Sequence, residues 1–232
     1  MAKLYLIPNL LSESHWQNVL PARNADIINK IRYFVVEDIR NARRFLKKVN
    51  PDIDIELLTF MELNKHTPDL QKNNYLDIIR EGQDVGIISE AGCPGVADPG
   101  AEIVELAHRR NITVVPLVGP SSILLALMAS GMNGQSFAFS GYIPVKKPER
   151  LKKIQQLENQ ALHHRQSQIF METPYRNNHL LNDLLRTCQP GTSLCIAADI
   201  TSDNEMIITK TISDWKKNPP DLAKKPAIFI LG

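Results

Sequence analysis

Two acids, three glycines and two prolines are packed into residues 89–100, directly after the apolar run 85–88. Glycine lets a main chain approach a ligand closely, and proline stiffens the loop that holds it. A plain strand-to-helix turn needs fewer residues than this. The segment therefore indicates a binding loop, and we expect Asp98 to cap the following helix, with Pro99 as its first residue.

Other apolar runs end in residues with comparable chemistry. One ends at Pro8, one at Glu37 and Asp38, and one leads through 119–120 to Ser121 and Ser122. Ligands of an open parallel sheet lie beyond the carboxyl ends of its strands, so these residues are expected to converge on one site. The two serines would hold a carboxylate or phosphate at a helix start, or simply cap the helix.

The order of elements in the first half predicts a parallel sheet. Apolar runs that predict strands occupy 4–7, 33–36, 55–60, 85–88 and 112–118. Helical periodicity occupies 39–49, 75–80 and 101–110 between them. Alternating strands and helices are typical of an open α/β domain with both faces of the sheet covered.

The second half follows a different pattern. Helices are expected at 121–130 and 174–187, and strands at 137–143, 168–172, 194–200, 206–211 and 227–231. The short polar connector 201–205 predicts an antiparallel hairpin. We therefore expect two α/β domains, 1–117 with a mostly parallel sheet and 118–232 with a mixed sheet.

Basic residues cluster at two predicted strand exits. The helix 39–49 has one apolar face, and its other face carries Arg40, Arg43, Arg44, Lys47 and Lys48. Lys146 and Lys147 belong to a second cluster. A solvated surface is the default explanation, but two such clusters could also bind an RNA substrate, with Arg43, Lys146 and Lys147 as contacts.

Two segments with acidic residues have open interpretations. Glu37 or Asp38, beside Arg40, could remove a proton from a hydroxyl acceptor, or could only cap and pair with their own helix. Glu172 and Arg176 could form a weak surface ion pair or hold the site, with Arg176 as a further substrate contact.

Composition excludes several classes of protein. The formal net charge of +2 is too small to indicate nucleic acid by itself. The three cysteines have no paired spacing, and the histidines form no zinc motif, so we predict no metal and a reducing, cytoplasmic location. No G-x-G-x-x-G, Walker A sequence, signal peptide or membrane span is recognised.

Five collinear segments resemble the motifs of the tetrapyrrole methylase superfamily, and within it the bacterial enzymes that methylate a cytidine 2′-hydroxyl in small-subunit ribosomal RNA. Residues 89–100 are similar to S-D-A-G-x-P-x-[LIV]-[SNC]-D-P-G, with Glu90 in place of the aspartate and Ala97 where a small polar residue or cysteine is usual. The other four are 37–46, 115–122, 141–147 and 170–176, similar to E-D-T-R-x-T-R-x-L-L, V-P-x-P-G-P-S-A, G-F-L-P-R-K and F-Y-E-S-P-x-R.

The resemblance implies a homodimer of two-domain chains, with S-adenosylmethionine in the cleft between the domains. The cofactor contacts implied are Pro8, Glu90, Ala91, Gly92, Pro94, Ser121, Ser122, Phe170, Met171, Ala198 and Pro226. The segment 8–17 departs from the family pattern, as does Glu90. Methylation of a tetrapyrrole or another metabolite, and a regulator that binds the cofactor without catalysis, are the alternatives.

Overall fold

The computed structural model describes residues 2–64 and 66–232. The chain divides into two compact units, Met1–Ser121 and Ser122–Gly232. The first contains β1 (Leu4–Ile7), α1 (Ala22–Ile28), β2 (Tyr33–Val36), α2 (Ile39–Val49), β3 (Thr59–Glu62), α3 (Asp69–Arg80), β4 (Val85–Ile88), α4 (Gly100–Arg109) and β5 (Val114–Pro116).

The five strands of the first unit form a parallel sheet in the order β3-β2-β4-β1-β5. Alternate side chains enter the cores on its two faces. Phe34 and Val36 pack in one core with α2, whereas Val35 and Ile87 pack in the other with α3 and α4. The predicted parallel α/β arrangement is confirmed, and it places every strand exit at one edge of the sheet.

Two local predictions for this unit were wrong. Residues 55–60 do not form one strand, because Asp54 accepts a hydrogen bond from the Glu56 amide and starts a short 3₁₀ turn at Ile55–Leu57. The helix α4 starts at Gly100, one residue later than predicted, with Pro99 in the preceding position. The side chain of Asp98 nevertheless binds the first amide of the helix, as a capping residue does, because its Oδ1 accepts hydrogen bonds from the Gly95 and Gly100 amides, both at 2.8 Å.

The second unit contains a mixed sheet, as predicted. Its elements are α5 (Ser122–Ser130), β6 (Phe137–Tyr142), α6 (Lys147–His164), β7 (Ser167–Met171), α7 (Asn177–Thr187), β8 (Ser193–Ala198), β9 (Met206–Thr211), α8 (Ile212–Lys217) and β10 (Ala227–Leu231). The sheet order is β6-β7-β10-β8-β9, and only β6 and β7 run parallel. The predicted β8–β9 hairpin is confirmed.

A buried aromatic core supports that sheet. The rings of Phe170 and Phe229 stack with centroids 5.9 Å apart, and the buried Trp215 indole donates to the Leu194 carbonyl at 2.8 Å. The indole nitrogen is therefore satisfied inside the core, as a buried donor must be. Among residues 2–64 and 66–232, no helix has the length and apolar character needed to cross a membrane.

Candidate functional site

The exits of β1 and β4 are joined directly in the first unit. The backbones of Asn9 and Gly92 exchange hydrogen bonds of 2.9 and 3.2 Å, and the Asn9 side-chain amide donates to the Ser89 carbonyl at 2.9 Å. Asn9 is buried, so these bonds satisfy polar groups that water does not reach. The loop 89–100 is thereby fixed against the end of the first strand.

The exit of β5 lies against the same two segments. A Cβ on Gly119 would overlap the Pro8 ring, and a Cβ on Gly92 would lie 3.3 Å from the Pro120 carbonyl oxygen. Gly92 also has a φ of +69°, which disfavours other residues. These glycines therefore allow three strand exits to pack together, and the predicted convergence of Pro8, Gly92 and the Pro120 segment is observed.

The start of α2 completes this cluster. Asp38 caps the helix, because its Oδ1 accepts from the Asn41 amide at 2.9 Å. The Asn41 side chain in turn donates to Oε2 of Glu90 at 2.6 Å. The sequence left capping or proton transfer open for Asp38, and the observed bond is a capping bond.

Glu37 and Asp98 are two half-buried acids bordering one small internal cavity. Burial raises the pKa of Glu37, and the negative charges of Asp98 and Glu90 raise it further. Burial also raises the pKa of Asp98, although the hydrogen bonds from Gly95 and Gly100 oppose that change. A carboxylate whose pKa is raised in this way is a better proton acceptor near neutral pH.

A groove of about 780 Å³ opens beside this cluster, within the first unit. Its walls are residues 9–13, one side of α2, and the beginning of the binding loop. The lining residues are Asn9, Leu10, Leu11, Ser12, Glu13, Asn41, Arg44, Phe45, Lys47, Lys48, Glu90 and Ala91. One pocket thus contains two predicted cofactor residues, Glu90 and Ala91, together with three cations of α2.

The cations of α2 are divided between two directions. The Arg43 guanidinium lies over the Phe60 ring, 5.3 Å from its centroid, and does not line the groove. Arg44, Lys47 and Lys48 do. Helical spacing would have identified Arg44 and Lys48 as residues on the same face of α2 as Asn41. Residues three or four apart share a helix face, and Arg44 follows Asn41 by three and Lys48 follows Arg44 by four. Arg40 is exposed, and its predicted role stays a prediction.

Several predicted cofactor residues of the second unit lie at one edge of its sheet. Phe170 pairs with Phe229, and Ala198 pairs with Ala227. The Asp199 amide donates to the Pro226 carbonyl at 3.0 Å. Met171, Ala198 and Pro226 are therefore held by neighbouring strands, although their contact with a cofactor stays a prediction.

The basic residues predicted in the second unit differ in their surroundings. Lys146 and Lys147 are exposed at the start of α6. Arg176 donates at 2.5 Å to Glu172, whose side chain is only 1% exposed. Burial alone would raise the pKa of Glu172, but the bonds from Arg176 and the Thr173 amide outweigh it and lower that pKa. The guanidinium of Arg176 therefore compensates a buried charge.

The remaining predicted residues lie around the binding loop and the start of α5. Pro94 is buried, Ala91 is exposed, and Ser121 and Ser122 are half-buried. In the part of the chain that the structure describes, no three His, Cys, Asp or Glu side chains are grouped to hold a metal ion.

Comparison with known proteins supports the assignment of this chain to one family. The family described as "Tetrapyrrole (Corrin/Porphyrin) Methylases" matches residues 20–215. The crystal structure of the methyltransferase CobJ superposes with a TM-score of 0.66 at 16% identity, covering 100% of this chain and 94% of that chain. At that identity the superposition shows a shared fold.

Curated relatives cover most of the chain. A protein named Ribosomal RNA small subunit methyltransferase I from Vibrio cholerae serotype O1 is 28% identical over 204 residues, which is 88% of this chain and 67% of that protein. The protein of the same name from Hydrogenobaculum sp. is 28% identical over 212 residues, covering 91% of this chain and 86% of the relative.

The chain belongs to the tetrapyrrole methylase family. It is a methyltransferase that uses S-adenosylmethionine, so the predicted family and cofactor are confirmed. The groove of the first unit is compatible with such a ligand. Its volume lies within the range of about 300–1,000 Å³ that is usual for cofactor sites, and Glu90 is among the residues that line it.

Proposed function

We propose that this methyltransferase modifies small-subunit ribosomal RNA at a ribose 2′-hydroxyl. The observation that supports the substrate is the similarity to proteins named Ribosomal RNA small subunit methyltransferase I across 88% and 91% of this chain. The basic side of α2 supports it independently, because phosphates are recognised by Lys and Arg.

Within the first unit, the cofactor contacts proposed are Pro8, Glu90, Ala91, Gly92, Pro94 and Ser121. The cofactor supplies a methyl carbon that its sulfonium makes electrophilic. The task of the protein is then to orient the acceptor oxygen for in-line attack and to exclude water. Asn41 contributes by holding the Glu90 carboxylate in one direction.

Glu37 is the residue we propose as the proton acceptor for the hydroxyl. It follows β2 at the sheet edge where the strand exits meet, and its pKa is raised by burial and by Asp98 and Glu90. Asp38 is the weaker candidate, because its carboxylate is engaged in capping α2. Arg40 is proposed to assist at this edge, and Arg43, Lys146, Lys147 and Arg176 are proposed to contact RNA.

The experiment that tests the substrate is transfer of a labelled methyl group to competing acceptors. The full chain is incubated with labelled S-adenosylmethionine and, in parallel, with small ribosomal subunits, their isolated RNA, transfer RNA, or a porphyrin precursor. We expect incorporation into the ribosomal acceptors alone. Incorporation into the porphyrin precursor would contradict the RNA substrate in favour of a small metabolite.

A regulator without catalysis gives a different outcome, namely calorimetric binding of S-adenosylmethionine with no incorporation into any acceptor.

The proposal also includes a homodimer in the cytoplasm. Exposed apolar side chains such as Met128, 78% exposed, and Val118, 73% exposed, are compatible with association. Sedimentation equilibrium of the full chain tests it, and a monomer at all concentrations would contradict it.

A further inference from the structure

The groove of the first unit has a positively charged end, which is formed by α2 and is separate from the end at Glu90. Arg44, Lys47 and Lys48 project from the second and third turns of α2, beyond the end that holds Glu90. Lys48 follows Asn41 by seven residues, so it lies about 10 Å farther along the helix axis. The Glu90 end and the Lys48 end of the groove are therefore too far apart to be joined by one ion pair.

A carboxylate of the protein itself is bound at the Lys48 end of the groove. The Lys48 ammonium contacts Oε2 of Glu13 at 2.5 Å, and the side chains are 41% and 94% exposed respectively. The positive charge of Arg44 also acts on Glu13, and Lys48 and Arg44 together lower the pKa of its carboxyl. An exposed glutamate on a loop is thus the anion that these cations currently hold.

Lys47 has a separate role. Its ammonium donates to the Pro51 carbonyl at 2.9 Å, just beyond the end of the helix. Lysines in a last turn commonly stabilise the free carbonyls there. The anion-binding capacity of the groove therefore rests on Arg44 and Lys48, whose side chains start one helical turn apart.

We propose that Arg44 and Lys48 bind a backbone phosphate of the RNA, and that the Glu13 carboxylate occupies the place of that phosphate in the free protein. This proposal rests on the proposed function. Because the phosphate site is about 10 Å along α2 from Asn41, the phosphate belongs to a nucleotide flanking the one that is methylated. Glu13 is then a competitor that the RNA phosphate must displace.

The test measures binding of a fluorescein-labelled fragment of small-subunit ribosomal RNA to the full chain by anisotropy, between about 50 and 200 mM NaCl. Lys48→Gln and Arg44→Gln should each weaken binding about three- to tenfold and reduce the salt slope by about one. Lys30→Gln is the matched control, because Lys30 is exposed just before β2, at the opposite edge of the sheet. It should bind RNA nearly as the wild type does.

Glu13→Gln provides the sharper result, because removal of a competitor should strengthen binding. We expect a gain of about two- to fivefold, the size of a surface ion pair. The gain should be clearly smaller in Lys48→Gln/Glu13→Gln, because Lys48 is the direct partner of Glu13 and only Arg44 then remains to attract it. Glu81→Gln, which removes the same charge from an exposed site after α3, should give a much smaller gain.

The proposal is wrong if Lys48→Gln binds RNA as tightly as Lys30→Gln does, or if the gain from Glu13→Gln is undiminished when Lys48 is replaced. Both results leave the proposed function intact as long as the wild type methylates ribosomal RNA. If the wild type binds S-adenosylmethionine but neither binds nor methylates RNA, the proposed function fails and this proposal fails with it.

Discussion

The side-chain amide of Asn41 donates a 2.6 Å hydrogen bond to the carboxylate of Glu90, and this bond joins two segments 49 residues apart in the chain. Asn41 lies in the first turn of α2, where Asp38 binds its backbone amide. Glu90 stands where the family pattern has the shorter aspartate. The longer side chain thus has a defined partner, which orients its carboxylate in the groove.

Glu90→Gln tests whether that carboxylate holds the cofactor. We expect the affinity for S-adenosylmethionine to fall about tenfold, because the cofactor would lose or weaken its hydrogen bond to the charged Glu90 carboxylate. Isothermal titration calorimetry on the full chain measures this directly. Glu81→Gln is the charge-matched control, and equal dissociation constants for the two variants would refute a cofactor role for Glu90.

Gly119→Ala tests the packing of the strand exits. The added Cβ would overlap the Pro8 ring, which has no flexible end to move aside. We expect the free energy of unfolding to fall by about 1–3 kcal/mol, the usual cost of overpacking. Gly134→Ala is the control, since its Cβ would meet no atom within 4 Å. Urea unfolding curves of the two variants should therefore differ, and coincident curves would contradict the close contact.

Glu37→Gln should make the protein more stable near neutral pH while reducing methyl transfer. The pKa of Glu37 is raised in the folded state above its ordinary value, through burial and then through the charges of Asp98 and Glu90. The folded state therefore binds the proton more tightly than the unfolded state, and wild-type stability falls as pH rises above that value.

The stability advantage of Glu37→Gln should consequently grow with rising pH and disappear at acidic pH, where Glu37 is protonated in both states. Urea midpoints measured from acidic to neutral pH provide the comparison. Parallel profiles for wild type and variant would show that Glu37 does not titrate abnormally. Full methyl transfer by the variant would separately exclude Glu37 as the proton acceptor.

Arg176→Gln should destabilise the second unit by about 2 kcal/mol at neutral pH. It leaves Glu172 buried with the hydrogen bonds of Thr173 to compensate its charge, and the partial exposure of Arg176 moderates the loss. The pKa of Glu172 is lowered in the folded state, so the pair's contribution is present above the unfolded pKa and is lost as pH falls through the folded one.

The difference between wild type and Arg176→Gln should accordingly shrink under acidic conditions in thermal or urea unfolding. Lys217→Gln breaks an exposed pair with Asp214 and is the matched control. It should leave the unfolding midpoint nearly unchanged. If Lys217→Gln lowered the unfolding midpoint as much as Arg176→Gln does, the burial of Glu172 would have no special importance for stability.

Much of the fold followed from local patterns in the sequence. Near-continuous apolar strands such as 85–88 predicted a sheet covered on both faces. The polar segment 201–205 predicted the hairpin. Both features were predictable because each depends on residues that are neighbours in the sequence. The role of Asp98 was predicted in part: its Oδ1 binds the first amide of α4, at Gly100, as local capping preferences indicate, but its second bond, to the loop amide of Gly95, was not predicted.

The candidate site could be predicted only in part. Strand exits marked Pro8, Glu37 and the loop 89–100, since the edge of a parallel sheet follows from topology. The partners of individual side chains did not follow. Asn41 with Glu90, and Lys48 with Glu13, pair across long stretches of sequence, and no periodicity encodes such pairs.

The most direct test of the account is the position of the methyl group on ribosomal RNA. Small-subunit RNA labelled by the full chain and S-adenosylmethionine is hydrolysed with alkali, which cleaves only next to a free 2′-hydroxyl. The account predicts that the label is recovered in an alkali-resistant dinucleotide, and that Glu37→Gln and Glu90→Gln reduce its amount. Label recovered only in mononucleotides, or no label in the RNA, would contradict it.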